Sequence, residues 1–310
     1  MKRTFLLLSG LVIAGCEAPA DPAFVDWLPS HGTVVAHRGG AALAPENTLA
    51  AFHKAAEPGI DAEIMELDLH TSADDVVVVN HDKSVDRTTG VGQGCDIEQD
   101  TVSETFGDVK VHDLTVAELQ DLDAGRCHVD LDGIRSFEGQ GVVIPTLREV
   151  LEELPTQRFM LEIKQTEPSV VPGVLELLTE LDAFDRTCFL AFDEGVTQEL
   201  AETAPEGTCI SMPASGIRCW STEAIFPFGG GGCPAYDVMW MPHTNSGFNL
   251  KRQSLVDDLH AAGMPVFMWT INDPAVMAEA YDAGVDGVVT DRPDLARELV
   301  GSRGVGPNTN

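Results

Sequence analysis

Apolar, β-branched runs alternate along this chain with stretches of helical period. The first run, "TVVAH" (33–37), leads into "NTLAAFHKAA" (47–56), which reads as a helix. A second run, "EIMELDL" (63–69), is followed at once by "DVVVVNHD" (75–82). Too little chain separates these two for a crossover helix, so the pattern predicts a hairpin. Residues 83–140 are irregular and rich in Gly and Asp, with one helical piece at "TVAELQDL" (115–122). An irregular stretch of that length marks an inserted subregion.

Beyond it the alternation is regular. Helix 146–154 leads to "RFMLEIK" (158–164), helix 169–181 to "TCFLAFD" (187–193), and helix 195–204 to "TCISMP" (208–213). An irregular Gly-rich segment precedes "DVMWMPH" (237–243). Helix 249–262 then precedes "PVFMWTIN" (265–272), helix 274–283 precedes "GVVTD" (287–291), and a last helix covers 294–300. Strand runs at 33–37, 63–69, 158–164, 187–193, 208–213, 237–243, 265–272 and 287–291 make eight β/α units. They fit an α/β fold of the (β/α)8 TIM-barrel type, with an inserted subregion after the second strand, better than an open doubly wound sheet.

A barrel of this kind collects its chemistry at the C-terminal ends of the strands. There stand His37 and Arg38, Glu66 and Asp68, Glu162 and Lys164, and Trp269. Glu66 and Asp68 are two apart and share one face of their strand, as do Glu162 and Lys164. Three carboxylates and a lysine facing inward would carry a large desolvation penalty unless paired or bound to a cation. The all-oxygen set Glu66, Asp68 and Glu162 suits one hard divalent cation, Ca²⁺ or Mg²⁺, rather than zinc. His37 and His81, both at strand ends, read as an acid/base pair. Arg38 and Lys164 supply positive charge for a phosphate, the first bidentately and the second as a point charge. Histidines 31, 53, 70, 112, 128, 243 and 260 have no comparable partners in sequence and read as structural or exposed.

Composition and the chain's start narrow the setting. Two cations, an apolar run from Phe5 to Ile13 and the ending Ile-Ala-Gly-Cys make residues 1–16 a secretory signal, too short to span a bilayer. That ending resembles a lipobox, so Cys16 is the expected acylation site and the membrane the expected anchor on the exported side. Glu17 follows it and leaves open which membrane. Residues 17–30 then read as a tether, 31–300 as one barrel domain and 301–310 as a disordered tail. A net charge of −31 with no basic cluster argues against nucleic acid as a partner. Six cysteines remain after Cys16, an even number that favours disulfides in an exported chain. Proximity in sequence favours Cys95–Cys127, Cys188–Cys209 and Cys219–Cys233.

The same residues carry a family resemblance. "AHRGG…APENT" (36–48), "ELDLHTSADDVVVVNHD" (66–82), "DRTTGVG" (86–92), "LTVAELQDLDAG" (114–125), "IPTLREVL" (144–151), "LEIK" (161–164), "FMWTIND" (267–273) and "GVDGVVTDRPD" (284–294) resemble the glycerophosphodiester phosphodiesterases. The resemblance implies a (β/α)8 barrel that hydrolyses glycerophosphodiesters to an alcohol and sn-glycerol 3-phosphate. It implies a divalent cation on Glu66, Asp68 and Glu162, and His37 and His81 as general acid and base. It places Arg38 and Lys164 on the phosphoryl group, Glu46 beside Arg38 or the metal, and Trp269 on the glycerol or leaving-group side. Residues 209–234 depart from the family's motifs where the loops of the fifth and sixth units would shape the pocket. Two alternatives stand beside this reading: lysophospholipase D-type cleavage on the same fold, and a non-catalytic lipoprotein that binds phosphodiesters.

Overall fold

The computed structural model describes residue 28 and residues 32–92, 94–95, 109–225, 233–245 and 247–303. The signal segment with Cys16, nearly all of the tether and the tail from 304 onward lie outside the described residues. Strands run in the order β1 (Thr33–Ala36), β2 (Ile64–Thr71), β3 (Val77–Val79), β4 (Arg158–Ile163), β5 (Thr187–Leu190) and β6 (Cys209–Ile210). They continue as β7 (Met239–Pro242), β8 (Thr244–Asn245), β9 (Phe248–Asn249), β10 (Val266–Trp269) and β11 (Gly287–Thr290). Eight of them pair in parallel in the order β6-β5-β4-β2-β1-β11-β10-β7, and β3 folds back antiparallel on β2 as the hairpin predicted. The two edges meet in a parallel bridge between Ser211 and Val238. Met212 N donates to Val238 O and Asp237 N to Ile210 O, each at 3.3 Å, and so the sheet closes on itself.

Strand parity sorts the side chains into two layers. Val35, Ile64, Met160, Cys188, Leu190, Val238, Trp240, Phe267 and Val289 fill the barrel interior. The alternate positions, such as Val34, Met65, Leu67, Phe159, Leu161 and Phe189, pack outward against the surrounding helices. Those helices start where short polar caps satisfy free backbone amides. Thr48 accepts from Ala51 N, Thr146 and Glu149 form a reciprocal capping box, and Asp193 and Asp273 each accept two amides.

Several boundaries differ from the sequence reading. The first helix is Leu49–Ala56, because Asn47 takes a left-handed backbone (φ 56°) and Thr48 becomes the cap. The helix expected at 249–262 is Gln253–Ala261, since Phe248–Asn249 pairs with Thr244–Asn245 as the small β8–β9 hairpin instead. A helix at Ala214–Ile225 occupies a stretch read as irregular. Gly216 within it and the Gly-rich run that follows at 229–232 mask its helical period in the sequence. Within 83–140, Val85, Val111, Leu119 and Ala124 join Val78 and Ile144 in a small core of their own.

The three disulfides are those expected, Cys95–Cys127, Cys188–Cys209 and Cys219–Cys233. Cys188 and Cys209 are register partners on β5 and β6, so their bond lies inside the barrel, next to the seam. Among the described residues no helix is long and apolar enough to cross a membrane.

Gly287 marks a tight point of the barrel interior. A Cβ there would lie 2.5 Å from the Phe267 ring and 3.3 Å from Thr33 Cβ. Gly287→Ala is therefore expected to destabilise the fold by about 1–3 kcal/mol through overpacking, measured by urea unfolding.

Candidate active site

Register brings the acidic set together. Asp68 on β2 lies directly opposite Glu162 on β4, and Glu66 sits two residues earlier on the same inward face. One oxygen from each of the three lies within 4.8 Å of the others, and all three residues are buried. Glu66 Oε2 accepts the Arg38 amide at 2.8 Å, whereas Glu66 Oε1 is buried with no hydrogen-bond partner. Burial and the neighbouring Asp68 and Glu162 charges push the Glu66 carboxyl well above its usual range. Burial also works against ionised Asp68, but Lys164, His81, Arg38 and the Asn47 hydrogen bond hold it far below the carboxylate range. An orphaned buried oxygen within a three-carboxylate set is the donor arrangement that one hard divalent cation satisfies.

The cations are tied to the same oxygens. Lys164 Nζ donates to Glu162 Oε1 at 2.5 Å and lies 3.3 Å from Asp68 Oδ1. Burial disfavours the charged lysine, yet Asp68 and Glu162 raise its pKa overall. Arg38 stands in a short 3-10 turn after β1 with φ 51°, an uncommon backbone state for a side-chain-bearing residue. That turn is what aims its amide at Glu66. Gly39 beside it admits no side chain, since a Cβ would lie 2.8 Å from both Ala51 Cβ and the Phe52 ring. The Arg38 guanidinium donates Nη1 to Glu46 Oε1 at 2.9 Å, and its Nε lies 3.6 Å from Asp68 Oδ2. Glu46 is thus beside Arg38 and, on its other edge, beside Arg87 rather than in the acidic cluster. Burial opposes its charge, but the two guanidinium groups hold its carboxyl well below the usual range.

Each candidate histidine is held by its own carboxylate. His37 Nδ1 is 2.6 Å from Asp291 Oδ1, and His81 Nδ1 is 2.7 Å from Asp82 Oδ1. Asp291 and Asp82 both titrate below the ordinary range despite their burial, through their histidines and through Asn272 and Arg87 respectively. An ionised carboxylate only accepts, so each Nδ1 carries the proton and each Nε2 is left for other work. Both rings line one open cavity of about 160 Å³ together with Arg38, Glu162, Lys164, Phe192, Trp240 and Trp269. Phe192 meets Trp269 edge-on at 5.7 Å, and the buried Trp269 Nε1 has no hydrogen-bond partner.

All the candidate residues within the described chain therefore converge on one mouth, with Glu46 one step behind it. The supporting residues Asn47, Asp82, Arg87, Asn272 and Asp291 escaped the sequence reading, although each lies inside or next to a quoted motif. His70, read as structural or exposed, is buried. Burial pulls its pKa down, and its Nε2 contacts the His81 carbonyl at 3.2 Å, bracing the turn that carries His81.

Fold and site together define a (β/α)8-barrel enzyme with a buried acidic cluster whose donor set suits a divalent cation. The model of the Glycerophosphoryl diester phosphodiesterase family matches residues 37–202 and 234–295, well over half the chain. The protein belongs to that family of phosphoric diester hydrolases. The glycerophosphodiester phosphodiesterase of Caldanaerobacter subterraneus is 30% identical over 279 residues, covering 86% of this chain and 97% of its own. Human lysophospholipase D is 28% identical over 293 residues, covering 86% and 85%. Among solved structures, an Oleispira antarctica phosphodiesterase in complex with the product sn-glycerol-3-phosphate superposes with a TM-score of 0.65 at 26% identity. That match covers 89% of this chain and 98% of the other. A Silicibacter pomeroyi structure of the same class reaches 0.69 at 24% identity, over 92% and 99%, a likeness of fold.

The division of labour is testable by calorimetric titration with Ca²⁺ and Mg²⁺. Glu66→Ala is expected to lower divalent-cation affinity by more than about tenfold, a loss seen even for outer groups of metal sites. His37→Ala is expected to leave that affinity nearly unchanged.

Proposed function

We propose that the protein hydrolyses deacylated phospholipids such as glycerophosphocholine to the free alcohol and sn-glycerol 3-phosphate, with His37 and His81 exchanging the protons. The observation that carries this reading is the matched pair His37–Asp291 and His81–Asp82, each held at Nδ1 with Nε2 clear of its aspartate, on a cavity that Arg38 and Lys164 also line. A phosphodiester is an anion that repels nucleophiles. Its hydrolysis needs charge neutralisation, a base for the attacking oxygen and an acid for the leaving one. Lys164 and Arg38 meet the phosphoryl oxygens in this reading. One neutral imidazole accepts the proton from the attacking oxygen, and the other, protonated, delivers one to the departing alkoxide. Each aspartate stabilises the imidazolium that forms or is consumed. A Ca²⁺ or Mg²⁺ ion on Glu66, Asp68 and Glu162 would add Lewis-acid polarisation of the phosphoryl group. Phe192, Trp240 and Trp269 form the apolar wall on the glycerol or leaving-group side.

A second reading, lysophospholipase D-type cleavage, is favoured by the likeness to human lysophospholipase D. Both readings suit an enzyme held at a membrane. The lipobox-like ending at Cys16 and three disulfides favour an exported lipoprotein, built as signal 1–16, tether 17–30 and barrel domain 31–300.

Purified protein with Ca²⁺ or Mg²⁺ is expected to release sn-glycerol 3-phosphate from glycerophosphocholine and glycerophosphoethanolamine. His37→Ala and His81→Ala should each lower kcat by about 10²–10⁴-fold. Choline release from lysophosphatidylcholine alone would favour the second reading. No turnover of any of these would sink both and leave a phosphodiester-binding protein. For the anchor, Cys16→Ala is expected to abolish incorporation of labelled fatty acid and to move the protein from the membrane fraction to the soluble one.

A further inference from the structure

Arg87 lies outside the cavity, yet it grips two carboxylates that hold cavity residues in place. Its Nε donates to Asp82 Oδ2 at 2.6 Å, while Nη1 and Nη2 donate to Glu46 Oε2 and Oε1, both at 2.7 Å. Each carboxylate has a second engagement. Asp82 Oδ1 holds His81 Nδ1 at 2.7 Å, and Glu46 Oε1 accepts from Arg38 Nη1 at 2.9 Å. The two carboxylates come from different parts of the chain, Glu46 from the loop after β1 and Asp82 from the turn after β3.

The guanidinium itself is well anchored. Its side chain is only 12% exposed. The helical turn Asp86–Thr89 that carries it rests on buried Val85, and Cys127 N donates to the Thr88 carbonyl. A Cβ at the following Gly90, where φ is 69°, would lie 3.0 Å from Cys95 Sγ and 3.2 Å from Cys127 Sγ. The disulfide therefore packs directly against the end of this turn.

We infer that Arg87 is a positioning residue that fixes His81 and Arg38 in one relative geometry by bridging Asp82 and Glu46. The inference rests on the roles proposed above for His81 and Arg38. A planar fork with donors on two edges can hold both carboxylates at once. A lysine ammonium keeps the charge but lacks that fork. Losing the bridge releases two groups together: a slack Arg38 weakens phosphate binding, and a slack His81 slows proton transfer.

The test compares Arg87→Lys and Arg87→Ala with the wild type on glycerophosphocholine. Misplacement of catalytic groups by about 1 Å is enough for a loss of about 10²-fold, and a fall in kcat of that order is expected in both variants with a rise in KM. Next to Arg87 lies a small open cavity of about 50 Å³ lined by Pro45, Thr88, Ala124 and His128 among others. The space left in Arg87→Ala is contiguous with it, so free guanidinium at non-denaturing concentration should recover kcat about tenfold or more. The bridge is also read without turnover, from the ring ¹H–¹⁵N signal of His81 Nδ1–H, expected to shift or broaden in Arg87→Lys. Unchanged kcat and KM in Arg87→Lys, a change in only one of them, or a folded Arg87→Ala that guanidinium does not rescue would overturn the inference. If Arg87→Ala fails to fold, the kinetic split and the NMR signal of Arg87→Lys decide it. An inactive wild type with a shifted His81 signal would overturn the proposed function while leaving the bridge standing, and an unmoved signal would overturn the bridge.

Discussion

Three carboxylates, Glu66, Asp68 and Glu162, stand side by side on β2 and β4 where little water reaches them, and the rest of the mouth answers to their charge. Like charges so close cannot all remain ionised without compensation. Lys164 and the Arg38 guanidinium supply part of it, and the Arg38 amide and Asn47 supply hydrogen bonds. What is left over, an unpaired Glu66 oxygen and a strongly raised Glu66 pKa, defines the role a divalent cation fills. The charge that makes the site costly to fold is also what suits it to a phosphate ester. The same cations that neutralise the carboxylates face the cavity where an anionic substrate would lie.

Around this centre the chain is arranged for rigidity. Arg38 and Asn47 adopt left-handed backbone states that only a tightly packed turn sustains. Each histidine leans on an ionised aspartate, and Arg87 and Asn272 orient those aspartates in turn. The opposite side of the barrel is built differently. β6 has two residues, and its junction with β7 is a single bridge, with Cys188–Cys209 tying β5 to β6 and Cys219–Cys233 tying two points of the β6–β7 connection. The family match pauses over residues 203–233, the stretch that carries β6 and most of its connection to β7. The bridge closes the sheet, and the two disulfides brace the short strand β6 and the connection that follows it.

Much of this was legible beforehand. The eight parallel strands lie where the apolar runs lie, because a strand buried on both faces needs a near-continuous apolar sequence. Glu66 and Asp68, or Glu162 and Lys164, stand out because an i, i+2 pair of charges in such a run must share the inward face. The helix at Ala214–Ile225 stayed hidden for the converse reason. Its apolar positions, Ile217 and Trp220 among them, sit between Gly216 and a Gly-rich segment, and a disulfide ties it to Cys233. The β8–β9 hairpin is too short for any period to register.

The supporting residues show where sequence alone stops. Asp291 is 254 positions from the histidine it holds, and Arg87 is 41 from the glutamate it grips. Their side chains are ordinary in type, and only the closure of β11 against β1 and the return of the hairpin bring them into place. The sequence by itself determined the barrel, the inward-facing acids and bases and the kind of ligand they suit, because strand period and residue charge are local properties. Which oxygen stays unpaired, which nitrogen of each histidine its aspartate holds and which arginine binds the two loops together were decided by tertiary structure. Those are matters of distance between segments that the chain's order leaves far apart.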